Sequence, residues 1–192
     1  MGLRSRRRQT PWIRPLILCA LLFSLGVLVF QVIQSKTNAP FKPLLPGDTI
    51  PASLTYITAD EQALTLIESA HTNPLVLVYY RGGFCNYCVA HLNELNQVNT
   101  AIQAAGYQLI AVSQDPPNIL AKTKEAHGLT YPLVSDPALT GAKHFGIQHK
   151  ESGRLLPHPS VFVINTRGVI VFAHTDTNYK KRLATDALLG VL

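Results

Sequence analysis

Acidic residues are absent from the first 47 positions, where Arg4, Arg6, Arg7, Arg8, Arg14, Lys36 and Lys42 together give +7. The whole chain carries a formal +6, which leaves −1 for the remainder. The basic character therefore belongs to a tail and not to a folded surface, and it excludes nucleic acid as the expected partner. Cysteine is scarce too, with only Cys19, Cys85 and Cys88. No second CxxC accompanies Cys85 and Cys88, so a zinc site would need two further ligands from elsewhere. Repeats and low-complexity tracts are missing. A chain of 192 residues, 47% hydrophobic and 15% charged, then points to one ordinary domain plus an accessory segment.

That segment is the one long apolar run. From Leu16 to Phe30 only Ser24 and Gly26 interrupt it, and it continues through Gln31 to Val32 and Ile33. About 18 residues of helix at 1.5 Å each span about 27 Å, close to a bilayer core. The arginine cluster ahead of the run, with Trp12 at its edge, should stay on the cytoplasmic side. A cleaved signal peptide would want a small-x-small site, which "IQSKTNAP" does not offer in a usable form. The expected organisation is a basic cytoplasmic tail at 1–14, an uncleaved anchor at 15–33, a tether at 34–45 and a folded domain at 46–192 across the membrane, periplasmic if bacterial. Cys19 falls inside the anchor, and "LILC" lacks the small residue a lipid-attachment site wants before its cysteine, so no role is expected for it.

Beyond the proline-rich "SKTNAPFKPLLPGDTIP", period-two and period-3.6 patterns alternate. "SLTYIT" reads as a strand, "DEQALTLIESA" as a helix, and "PLVLVYY" as a strand buried on both faces. "CVAHLNELNQVNTAIQAAG" places Val89, Leu92, Leu95 and Val98 on one helical face. "YQLIAVS" is a strand, "PPNILAKTKEAHG" a helix and "TGAKHFG" a short helix. "SVFVI" and "GVIVFAH" are strands joined at "NTRG", and "NYKKRLATDALLGVL" is a closing helix. This order predicts an α/β sheet, mostly parallel, with an antiparallel hairpin at one side.

Cys85 and Cys88 fall where the doubly buried strand gives way to a helix. Unpaired amides and aligned peptide dipoles in a first helical turn favour negative charge, so Cys85 is expected to be a nucleophile. Cys88, one turn on, can attack a sulfur bonded to Cys85, the arrangement that thiol–disulfide exchange requires. Gly82 and Gly83 keep side chains out of the approach, and Arg81 is a nearby cation for a thiolate or a solvated charge at a strand end. Two alternatives stay open: buried thiols that merely pack, and a zinc site completed by His91 with His158 or His174. A surface histidine without a role is the blander reading of His91.

These residues resemble a known family. "YYRGGFCNYCVAHLNEL" is similar to the RGGWCPYC-type members of the alkyl hydroperoxide reductase/thiol-specific antioxidant family, peroxiredoxin-like proteins of thioredoxin fold. The likeness runs from "LLPGDTIP" through "LIAVSQDPPNILAKTKEAHGLTYPLVSDPALTGAKHFGI" to "HPSVFVINTRGVIVFAH", roughly residues 44–175. It implies a thioredoxin-like fold, a mixed central sheet flanked by helices, and does not extend to the anchor helix expected ahead of it; no cofactor or metal is expected. Its peroxiredoxin branch puts the peroxide-reactive cysteine at Cys88, Cys85 in a hydroxyl position, and an arginine where this chain has Pro159. Its thioredoxin branch puts the nucleophile at Cys85 and a cis-proline at Pro159. That branch also buries an acid on the strand before CxxC, where this chain has Tyr79.

Two partner classes follow. One is protein thiols and disulfides, exchanged at Cys85 and Cys88. The other is hydroperoxides, reduced at Cys88 and resolved by Cys85. A copper carrier of the Sco type is a third alternative, but such carriers use CxxxC with a distal histidine, and the tighter pair here counts against it. The missing arginine at 159 makes thiol–disulfide exchange the leading expectation. The electron donor is not legible.

Overall fold

The protein is described by a computed structural model covering residues 13–37 and 41–192, with side chains of the first segment described over 15–29. The expectations for the tail at 1–12 and for tether residues 38–40 lie outside the described residues. The chain divides into two compact units, Met1–Pro40 and Phe41–Leu192.

The first unit contributes α1, Ile13–Thr37, a helix of 25 residues. The apolar run is helical as expected, and the helix continues through Thr37 into the stretch read as an extended tether. Among the described residues no helix is long and apolar enough to cross a membrane. The anchor drawn at 15–33 takes in residues 30–33, whose side chains are not among those described.

In the second unit, β1 (Thr55–Thr58), β2 (Ala63–Thr65), β3 (Leu75–Tyr79), β4 (Gln108–Ser113), β5 (Leu133–Ser135), β8 (Ser160–Ile164) and β9 (Ile170–Thr175) form one sheet in the order β2-β1-β5-β4-β3-β8-β9. β3, β4 and β5 are parallel, and every other pairing is antiparallel. The sheet is therefore mixed and not mostly parallel. β6 (Gln148–Glu151) and β7 (Arg154–Pro157) form a separate hairpin. Its turn places Ser152 at φ +49 and Gly153 at φ +82, the pair of positive values that a two-residue hairpin turn of right twist demands. The helices are α2 (Leu66–Thr72), α3 (Asn86–Ala104), α4 (Pro117–Ala126), α5 (Thr140–His144) and α6 (Thr185–Leu189).

Both faces of β3 are covered, as its unbroken apolar run requires. Leu75, Leu77 and Tyr79 join one core cluster with Phe145 and Phe162, while Val76, Val78 and Tyr80 join another with Cys85, Cys88, Leu92 and Leu95 from α3. Burying each such aliphatic side chain contributes roughly 1.5–3 kcal/mol. The alternation decides which residues can see the cysteines: Tyr80 shares their face, whereas Tyr79 points away and hydrogen-bonds Tyr56. Tyr79 therefore does not stand where an acid for the second cysteine would.

Three expected boundaries move. The packed domain begins at Phe41, since Leu44 N–H donates to Phe145 O at 3.0 Å and Gly47 N–H to Ile170 O at 2.8 Å. The segment read as one helix, "DEQALTLIESA", holds strand β2 ahead of α2, because Ala63, Leu64 and Thr65 pair with Ile57, Tyr56 and Thr55. The closing helix is only Thr185–Leu189, and residues 176–184 form an irregular strap ahead of it.

Candidate active site

β3 runs directly into Tyr80, whose N–H donates to Val112 O at 3.0 Å, and then into a loop, 81–84, that feeds α3. Gly82 has φ +138, and a side chain there would meet the Phe84 ring at 2.7 Å and Asp115 Oδ1 at 2.9 Å. Gly83 N–H donates to Asp115 Oδ2 at 2.7 Å. The two glycines let the loop close onto Asp115, which corrects the expectation that they clear a path for substrate.

Cys85 is the N-cap of α3, in extended conformation at φ −98 and ψ 105. Its carbonyl accepts the first helical bonds, from Cys88 N–H at 2.8 Å and Val89 N–H at 3.0 Å. Cys88 then lies in the first turn, fully buried, while Cys85 is 6% exposed. Both thiols are free. Burial pushes the Cys88 thiol up to about 11, reinforced by the neighbouring Cys85 thiol and opposed by the backbone N–H of Arg81 and by Arg182. Two neighbouring sulfurs accept one negative charge far more readily than two.

The cation at this pair comes from the far end of the chain. Arg182, on the strap, puts Nη2 at 3.0 Å from Cys88 Sγ and 3.9 Å from Cys85 Sγ. Its Nη1 donates to the carbonyls of Tyr179 at 2.7 Å and Lys181 at 2.5 Å. His91, one turn beyond Cys88, is buried, and its titration is lowered to about 4 by desolvation and by Arg182, so it is neutral in the site. Leu183 of the strap packs on the core cluster that holds Cys88 and Leu92.

The AhpC/TSA family matches residues 46–173, a span that contains both site cysteines. The chain belongs to that family. A Mycobacterium tuberculosis protein named as a peroxiredoxin is 31% identical over 136 residues, covering 68% of this chain and 84% of that one. The thiol-disulfide oxidoreductase ResA of Geobacillus thermodenitrificans is 23% identical over 177 residues, 92% and 93% of the two chains. The crystal structure of peroxidoxin BcpB from M. tuberculosis superposes with a TM-score of 0.69 at 22% identity, covering 77% of this chain and 96% of that one. The chain is thus an oxidoreductase of the thioredoxin superfamily, with the thioredoxin-like α/β fold that the resemblance implied.

Within that family frame, three readings of the site residues change. Among the described residues no peptide bond is cis, so His158–Pro159 is trans. Pro159 O accepts Asp176 N–H at 2.9 Å and continues the antiparallel ladder of β8 and β9. Arg81 turns its guanidinium to partners other than the sulfurs. Its guanidinium donates from Nη2 to Glu151 Oε1 at 2.9 Å and lies 4.6 Å over the Tyr179 ring. His91 is no surface histidine. Nor are the other two ring candidates near an assembled ligand set. His158 stacks on His149 at 3.7 Å, His174 pairs with Asp176 at 2.9 Å, and among the described residues no group of three or more His, Cys, Asp and Glu is placed to hold a metal ion.

Arg182, Tyr179 and Tyr80 are the site residues that sequence reading missed. The first two sit in "NYKKRL", which reads as a charged helical surface, and nothing in its pattern announces a contact with residues more than ninety positions earlier.

Proposed function

We propose that the chain is a thiol peroxidase of the peroxiredoxin kind, in which Cys88 reduces a hydroperoxide and Cys85 resolves the product. The observation that carries this reading is the pair of free, buried thiols at the start of α3, with Arg182 Nη2 at 3.0 Å from Cys88 Sγ. Burial and the neighbouring Cys85 thiol work against a charge on Cys88, but Arg182 and the backbone N–H of Arg81 work for it. A Cys88 thiolate attacks the distal oxygen of ROOH, the O–O bond breaks, and RO⁻ takes up a proton to leave as ROH. The Cys85 thiol then attacks the sulfur of Cys88–SOH, a disulfide forms and water departs. An external dithiol supplies the two electrons that reopen the disulfide. Stopped-flow mixing of the reduced protein with hydroperoxide tests this. We expect a second-order rate well above that of free cysteine, lost in Cys88→Ser and retained for one turnover in Cys85→Ser; a wild-type rate equal to free cysteine rejects it.

A second reading is supported by the exposure of the two cysteines. Cys85 is the more accessible sulfur and is flanked by Phe84 and Tyr87, 54% and 48% exposed, which suits attack on a partner disulfide in simple thiol–disulfide exchange. Insulin reduction lost in Cys85→Ser, with a peroxide rate no better than free thiol, would favour it.

The apolar run at 16–33 and the arginines ahead of it support a membrane anchor, with the catalytic domain on the extracytoplasmic side. Resistance of the full chain to alkaline extraction from membranes, and protease access to residues 41–192 in intact spheroplasts, would test that topology.

A further inference from the structure

Peroxide reduction at a buried thiolate needs a cation and hydrogen-bond donors at the reacting atoms, and position 159, where the resemblance implies an arginine, holds a proline with no side-chain donor. We propose that Arg182 is the catalytic arginine of this site, delivered by the strap at 176–183 in place of one from the strand, an assignment that rests on the peroxidase reading. Nη2 holds the Cys88 sulfur at 3.0 Å. Nη1 is committed to two backbone carbonyls, which fixes the plane of the guanidinium. Nε is buried with no hydrogen-bond partner among the described residues, so one N–H is left for the oxygen of a hydroperoxide. The same group then neutralises the thiolate, orients the peroxide and donates to the RO⁻ that leaves when the O–O bond breaks.

The strap is held by contacts that have no other evident purpose. The Tyr179 ring lies under the Arg81 guanidinium at 4.6 Å, meets the edge of Tyr87 at 6.0 Å, and carries Lys180 Nζ at 5.7 Å. Arg81 is in turn fixed by Glu151 on β6 at 2.9 Å. Lys181 N–H donates to Asn178 O at 2.9 Å and Lys180 N–H to Asn178 Oδ1 at 3.0 Å, closing the turn that aims Arg182. Leu183 packs on the cysteine-side core cluster just beyond. Tyr179 is accordingly a positioning residue, acting on the chemistry through Arg182.

The test compares Arg182→Ala, Arg182→Lys, Tyr179→Ala and Tyr179→Phe in the full chain, with two readouts: the rate with hydrogen peroxide and the pH profile of thiol alkylation. Arg182→Ala should lower the peroxide rate about 100-fold and move the alkylation midpoint upward by about one pH unit. Millimolar guanidinium chloride should restore part of the lost rate, which a merely structural role would not allow. Arg182→Lys keeps the charge but not the fork, so its midpoint should stay near wild type while its rate falls. Tyr179→Ala should follow Arg182→Ala at smaller amplitude and Tyr179→Phe should match wild type. If Arg182→Ala fails to fold, the lysine and Tyr179 variants carry the comparison. A fast wild type with an equally fast Arg182→Ala, or Arg182→Lys when only that variant folds, and unmoved alkylation overturns the arginine assignment and leaves the peroxidase reading standing. A wild type no faster than free cysteine, with alkylation still shifted in Arg182→Ala, overturns the peroxidase reading and retains only the contact at sulfur.

Discussion

The two walls of the site are built in opposite ways. One wall is the N-terminal end of α3, where strand, loop and helix lie consecutively and each residue is placed by its neighbours in sequence. Cys88, Leu92 and Leu95 are fully or almost fully buried there, so packing and chemistry share the same side chains. The other wall is the strap, an irregular segment held by stacking, cation–π contact and bonds to backbone carbonyls. The first wall can hardly change without damaging the fold, whereas the second can change and leave the core intact. A site made this way keeps its sulfurs on a rigid element and its cation on an adjustable one.

Substitutions can break or sharpen that contrast. The largest effect belongs to Cys88→Ser, which should abolish peroxide turnover without altering thermal stability by more than about 1 kcal/mol, measured by stopped-flow and by calorimetry. Leu92→Ala, on the rigid wall, should cost about 2–5 kcal/mol in urea unfolding, because a fully buried side chain leaves a cavity between α3 and the sheet.

Next comes His91, buried one turn beyond Cys88. Its titration is lowered to about 4 in the fold, below the unfolded value of about 6.5, so the unfolded state binds the proton first. Its stabilisation is complete above the unfolded value and is lost as pH falls through that window, by up to about 3 kcal/mol. Unfolding followed across the window should show this loss, and His91→Gln should reduce it. His158, also lowered to about 4, acts with the same sign, so part of the acid sensitivity should survive the substitution. The smallest effect is expected at Glu151→Gln, which removes the anchor of Arg81. Because the Glu151 side chain is 38% exposed, the fold should be little affected, with the peroxide rate down only about threefold through a looser strap. Should Glu151→Gln prove as damaging as Leu92→Ala to stability, the division into a rigid and an adjustable wall is wrong.

Where sequence reading succeeded, the evidence was local and periodic. "PLVLVYY" could only be covered on both faces, and the cysteines could only cap the helix that follows, so β3, α3 and the CxxC placement were legible. Where it failed, the deciding contact was distant. "DEQALTLIESA" has a helical pattern, yet its first residues pair with β1, which propensity cannot anticipate. The hairpin β6-β7 hid in a polar stretch whose only signal was Ser152-Gly153. Pro159 was expected to be a cis-proline, but among the described residues no peptide bond is cis.

The sequence by itself determined an α/β domain with two thiols at a helix N-terminus, because hydrophobic period and cysteine spacing act over a few residues at a time, and its family resemblance implied the thioredoxin-like form of that domain. Only the tertiary structure decided which cation meets those thiols. Arg81 is adjacent in sequence yet turns its guanidinium to Glu151, and Arg182 arrives from more than ninety residues away because the β8–β9 ladder returns the chain to the mouth of α3. Local order can place a sulfur, but the charge beside it depends on where a long loop closes, and that depends on the pairing of whole strands.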